Sequence, residues 1–168
     1  TDAFVAAMPA WREHGLLGFT VGLQGGNPEA YGNYQPWENS AFASDGNPRK
    51  EWFGRLKRIL DKADSLGMVP IVSFFYFGQD ERLETEEAVL RACDAATDWI
   101  LEQGYRHVIV EVANETDVPR YEHSILMPER IAELILRVQE RSADAGHLPA
   151  GKLLTGTSFG GGSIPTPN

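Results

Sequence analysis

The chain has 168 residues, with 15 Lys and Arg against 24 Asp and Glu, a formal net charge of −9. A content of 42 % apolar and 23 % charged residues excludes low-complexity disorder, and so acidic a chain has no electrostatic footprint for nucleic acid. No apolar run approaches the ~20 residues of a membrane span, and the single cysteine, Cys93, excludes an internal disulfide framework and a cysteine-rich metal site.

The opening Thr1-Asp2 is neither an initiator Met nor a charged-then-apolar leader, which suggests a processed or truncated chain. Phe4, Val5, Met8 and Trp11 recur at helical spacing and stop at Gly15. Leu16–Gln24 reads as a strand ending in Gly25-Gly26, and a polar, aromatic stretch follows to Asn47. Asn47-Pro48 predicts an N-cap and first-turn proline for a helix whose stripe is Trp52, Phe53, Leu56, Ile59, Leu60, Ala63 and Leu66, ended by Gly67. Met68–Phe77 is the next strand, with Pro70 near its start. Thr85 caps a helix with Val89, Cys93, Ala96 and Ile100 on its inner face, closed by Gly104. His107–Ala113 is a strand, Pro128 opens a helix ending near Gly146, and Lys152–Ser158 is the last strand, before Gly160-Gly161-Gly162.

Strict α-β alternation predicts an α/β fold with a parallel sheet and helices packed outside it. Two architectures suit it, an open doubly wound sheet and part of a (β/α)8 barrel. No GxGxxG follows the first strand, since Gly22, Gly25 and Gly26 have the wrong spacing. Both architectures place a site at the strand C-termini, where strand His107–Ala113 runs into Asn114-Glu115. Glu115 suits a general acid and base, and the Asn114 amide can donate to a sugar hydroxyl beside the scissile bond. Asn114-Glu115-Thr116 also spells a glycosylation sequon, but the floor of a cleft is a poor acceptor.

Val110–Glu115, VEVANE, resembles the acid/base strand of the cellulase-like clan of retaining glycoside hydrolases (family 5-like). LLGFTVGLQGG and GMVPIVSFFYFGQ support the same element order. The resemblance implies a partial (β/α)8 TIM barrel, with this chain supplying strands two to five and helices one to four as one incomplete domain over residues 1–168. It implies O-glycosidic hydrolysis of an oligo- or polysaccharide with Glu115 as acid/base, Asn114 on the sugar 2-hydroxyl, and no cofactor. The clan's nucleophile, a Glu at the end of strand seven, would lie outside these residues, so the fragment alone is expected to aggregate or stay inactive.

Aromatic faces cover the C–H faces of a pyranose, and amides pair with its hydroxyls. Gln24, Trp37, Asn39, Tyr76, Gln79, Tyr121 and His123 are therefore the candidate substrate-binding residues, whereas Trp52 and Trp99 sit in helical stripes and serve packing. Glu111 shares the strand parity of Glu115 but lies about 13 Å below it at ~3.3 Å per residue. Retaining pairs stand about 5–5.5 Å apart, so Glu111 is expected to be a buried structural carboxylate with a basic partner. Asp80 and Glu81 read as a solvated loop. The four histidines do not cluster into a metal site, and only His123 falls near Glu115. Two further readings stand beside the glycosidase. One is a non-catalytic carbohydrate-binding barrel. The other is a sugar-phosphate enzyme using the Gly160–Gly162 amides, which the absence of a following basic residue disfavours. Nucleic acid and membrane are not expected as partners.

Overall fold

A computed structural model describes residues 1–26, 38–143 and 145–161 of the chain. The elements in order are α1 (Asp2–Glu13), β1 (Gly18–Gly22), α2 (Lys50–Ser65), β2 (Val69–Phe75), α3 (Glu86–Glu102), β3 (Ile109–Ala113), α4 (Ile131–Arg141) and β4 (Leu154–Gly156). Single 3-10 turns at Asp80–Arg82 and Ser124–Leu126 follow β2 and β3.

The four strands form one parallel sheet in the order β1-β2-β3-β4. A parallel sheet that grows in one direction through right-handed crossovers carries all its helices on one face. Consecutive helices accordingly touch: α1 packs on α2 and α3 on α4, and Phe53 of α2 meets Trp99 of α3 edge-on at 5.3 Å. Val72 and Val110, paired in register on the helix side, are fully buried in the main apolar core. Between α3 and α4, Arg137 forks onto Asp94 and Arg141 onto Asp98, with N–O distances of 2.5 to 2.6 Å.

The opposite face carries two register rows. Thr20, Ile71, Ile109 and Leu154 form one; Gly22, Ser73, Glu111 and Gly156 form the other. Leu154 is 58 % exposed there.

Each predicted element is present, with shorter strands. Thr85 caps α3, its hydroxyl accepting from the Ala88 N–H at 3.2 Å. The start of α2 differs. Asn47 does not cap the helix: its N–H donates to Asp45 Oδ1 at 3.0 Å, and Pro48 bridges Phe42 in a small antiparallel ladder. That ladder uses the backbone a first turn would need, so α2 begins at Lys50. The left-handed Gly46 (φ 86°) turns this segment against α3, so close that a Cβ would lie 2.1 Å from the Ala88 carbonyl oxygen. Likewise Pro128 falls in the turn before α4, which begins at Ile131.

Candidate functional site

β3 pairs with β2 on one side and β4 on the other, so its C-terminal end is flanked by both neighbours. Asn114 stays in line with the strand, its N–H donating to the Phe75 carbonyl at 3.1 Å. Glu115 then breaks the extended run. Its φ is 51°, the one left-handed non-glycine residue among the described residues. Such a conformation costs about 1–2 kcal/mol for a residue with a Cβ, and strain of this kind collects at functional sites. The Glu115 N–H donates to Ser158 Oγ at 2.9 Å, just beyond β4. Among the described residues neither the Asn114 amide nor the Glu115 carboxylate makes a hydrogen bond or ion pair inside the chain. A donor and a carboxylate therefore stand side by side at the strand end, both unspent.

Beside them a cavity of about 300 Å³ opens at the C-terminal ends of β1 to β3. Thr20, Gln24, Asn39, Ser73, Tyr76 and Asn114 line it, with Gly22 and Gly25. Hydroxyls, amides and one phenol line this space, with no charged side chain among the described lining residues. Four of the sequence-predicted residues thus meet in one place: Gln24, Asn39, Tyr76 and Asn114. The glycines matter here, because a Cβ on Gly26 would fall 2.8 Å from the Tyr76 ring and one on Gly25 would fall 2.9 Å from Asn39 Nδ2.

The two glutamines hold this wall together. Gln24 is buried, and its Nε2 donates to Ser40 Oγ at 3.1 Å and the Gln79 carbonyl at 3.3 Å, while its Oε1 accepts from the Tyr76 N–H at 3.2 Å. Gln79 is fully buried, and its Oε1 accepts from the Asn39 N–H at 2.7 Å. Both were expected as substrate contacts. Their amides are instead struts that fix the backbone of Asn39 and Tyr76. Asn39 in turn donates from Nδ2 to the Gly25 carbonyl at 3.1 Å.

Tyr121 and His123 are likewise turned inward. The Tyr121 hydroxyl donates to the Asn114 carbonyl at 2.5 Å, and burial, reinforced by the Asp80 and Glu111 carboxylates, pushes its ionisation well above the usual phenol range. His123 Nε2 donates to the Leu83 carbonyl at 2.9 Å, which ties the ring to the loop after β2. Trp37 lies outside the described residues.

Two carboxylates depart from expectation. Asp80 is not solvated but fully buried. Its Oδ2 accepts from the backbone N–H groups of Glu122 (2.8 Å) and His123 (3.3 Å), and its Oδ1 has no hydrogen-bond partner. Burial pushes its pKa up to about 6, against the pull of those N–H groups. An alternating pattern has no signal for it, because an Asp two residues past Gly78 reads as an ordinary turn. Glu111 lies on the uncovered face, and its Oε2 is buried without a hydrogen-bond partner, so the basic partner expected for it is not found among the described residues. The described residues hold no cluster of three or more His, Cys, Asp or Glu able to bind a metal. No helix among them is long and apolar enough to cross a membrane.

Comparison with known proteins finds no matching family model, no matching curated protein and no matching solved structure.

Proposed function

We propose that the chain is part of a (β/α)8-barrel glycoside hydrolase of the retaining type, with Glu115 as acid/base and Asn114 as donor to the sugar hydroxyl beside the scissile bond. One observation carries the reading: Asn114 and Glu115, both with free side-chain groups, follow the inner strand β3 next to a cavity whose described lining is hydroxyls and amides without charge. Such a lining matches the alternating donors and acceptors of a neutral sugar. The sequential, all-parallel strand order with helices between the strands is the arrangement of successive barrel units.

In the mechanism, the Glu115 carboxyl protonates the leaving glycosidic oxygen as the C–O bond breaks. A second carboxylate, supplied by residues outside this chain, takes the anomeric carbon as a glycosyl ester. The Glu115 carboxylate then removes a proton from water as the water displaces that ester. The Asn114 amide hydrogen bond strengthens as charge builds on the ring. The test is Glu115→Gln in the intact protein, with hydrolysis of an unactivated oligosaccharide and its binding measured side by side. Hydrolysis is expected to fall at least ~100-fold with binding retained; undiminished turnover refutes the reading.

The described residues that line the cavity include no carboxylate, and this favours a carbohydrate-binding barrel as the second reading. Binding without hydrolysis, unchanged in Glu115→Gln, would select it. The phosphate reading is weakened at Gly160, whose N–H already donates to the Asp117 carboxylate.

A further inference from the structure

The segment after β4 is stitched to the end of β3. Thr157 Oγ1 donates to the Ala113 carbonyl at 2.7 Å, Ser158 Oγ accepts from the Glu115 N–H at 2.9 Å, and the Ser158 carbonyl accepts from the Thr116 N–H at 3.0 Å. Gly160 then donates to Asp117 Oδ1. The segment thereby brackets Glu115, the residue with the strained backbone, from both sides.

Two of these residues have properties that packing alone does not require. Ser158 is the sole described side chain that takes up the backbone N–H of Glu115, the residue whose φ is left-handed. At Gly160 a Cβ would lie 3.3 Å from both Cβ and Cδ of Glu115 and 3.0 Å from Val118 Cγ2. Gly160 does not need glycine for its backbone, because its φ lies outside the left-handed region. Its missing side chain leaves room for the Glu115 side chain, whose carboxyl carbon rests over it.

We propose that Ser158 and Gly160 are positioning residues for Glu115: the hydroxyl clamps the strained amide, and the bare Cα sets how closely the carboxyl group folds down beside β4. The role rests on the reading of Glu115 as acid/base. Without the Ser158 hydroxyl the buried side of the Glu115 amide loses its partner, and the residue can relax toward an ordinary φ, swinging the carboxyl away from the leaving oxygen. A methyl group at position 160 lifts the same carboxyl by a few tenths of an ångström without altering the backbone.

The test uses the intact protein and pairs of β-glucosides, β-mannosides and β-xylosides, one of each pair with an alkyl leaving group and one with a 2,4-dinitrophenyl group. Alkyl departure needs a well-placed general acid; dinitrophenolate leaves without one. Ser158→Ala and Gly160→Ala are expected to lower kcat/KM on the alkyl glycosides about 10- to 100-fold. For the dinitrophenyl glycosides kcat/KM, which reports formation of the glycosyl ester, should stay within about twofold, and Ser158→Thr should restore the rate lost on the alkyl glycosides. A structural defect would lower kcat/KM for both substrates alike, so an equal loss of kcat/KM on both, or no loss on either, overturns the positioning role and leaves the glycosidase reading standing. If the unmutated protein cleaves neither substrate of any pair, the glycosidase reading falls and the positioning role falls with it. Should Ser158→Ala fail to fold, Gly160→Ala and Ser158→Thr still decide the matter.

Discussion

The backbone of Glu115 makes a prediction about stability in which catalysis plays no part. At an ordinary helical or extended position, Gly is about 0.5–1 kcal/mol less stable than Ala because it loses more chain entropy on folding. At φ 51° the balance inverts. A Cβ there costs about 1–2 kcal/mol that Gly avoids, so the net preference for Gly over Ala at this position is about 0.5–1 kcal/mol. Comparing Glu115→Gly with Glu115→Ala removes the carboxylate from both and leaves the backbone term. For a chain of this length each kcal/mol moves the melting temperature by about 2–4 °C, so the Gly variant should melt roughly 1–4 °C above the Ala variant. Calorimetry or urea unfolding at neutral pH reads this directly. A Gly variant that melts below the Ala variant refutes the strained conformation and, with it, the argument that Ser158 restrains it.

The remaining expectations concern the frame around the site. Asp80 has a pKa of about 6 in the fold against an ordinary 3.8, so the folded state binds its proton more tightly than the unfolded chain. Stability from this group therefore rises as pH falls from about 6 toward about 4, by at most ~3 kcal/mol for a shift of this size. Urea midpoints for the wild type and Asp80→Asn across that window should differ in slope; parallel curves would show that Asp80 does not titrate there. Gly46→Ala should cost at least ~3 kcal/mol, since the added methyl meets the Ala88 carbonyl. Gly104→Ala, also left-handed (φ 73°) but with open space around it, should cost only about 1 kcal/mol. Equal costs, read from chemical unfolding, would show that Gly46 is needed for its φ alone.

Much of this fold was legible because each helix carries its apolar stripe at a 3.6-residue period and each strand is a short β-branched or aromatic run between breakers. The capping signal at Thr85 matches the structure, where its hydroxyl accepts from the Ala88 N–H. The same kind of signal at Asn47-Pro48 misled, because a local ladder to Phe42 and Ala43 took up the backbone first. At the site, the sequence pointed to Asn114 and Glu115 through their place at a strand end. It grouped Gln24 and Gln79 with them because an amide suited to a sugar is equally suited to bracing two loops. Residue type alone cannot tell these uses apart; the Tyr76 and Asn39 N–H groups that claim the amide oxygens arrive from distant parts of the chain. Burial of Asp80 and the clamp at Ser158 are contacts across about 40 residues and have no local signature.

The strand order has a consequence for how the chain is made. Each strand pairs with the one that left the ribosome just before it, and the paired registers are separated by only about 40–50 residues. Among the four described strands none has to wait for a neighbour encoded much later, so β1 and β2 can dock on α2 while β3 is still being synthesised. Glu115 emerges just after β3, but its N–H finds Ser158 only after β4 has been added. The one left-handed non-glycine residue among those described thus settles only once the strand after its own is in place.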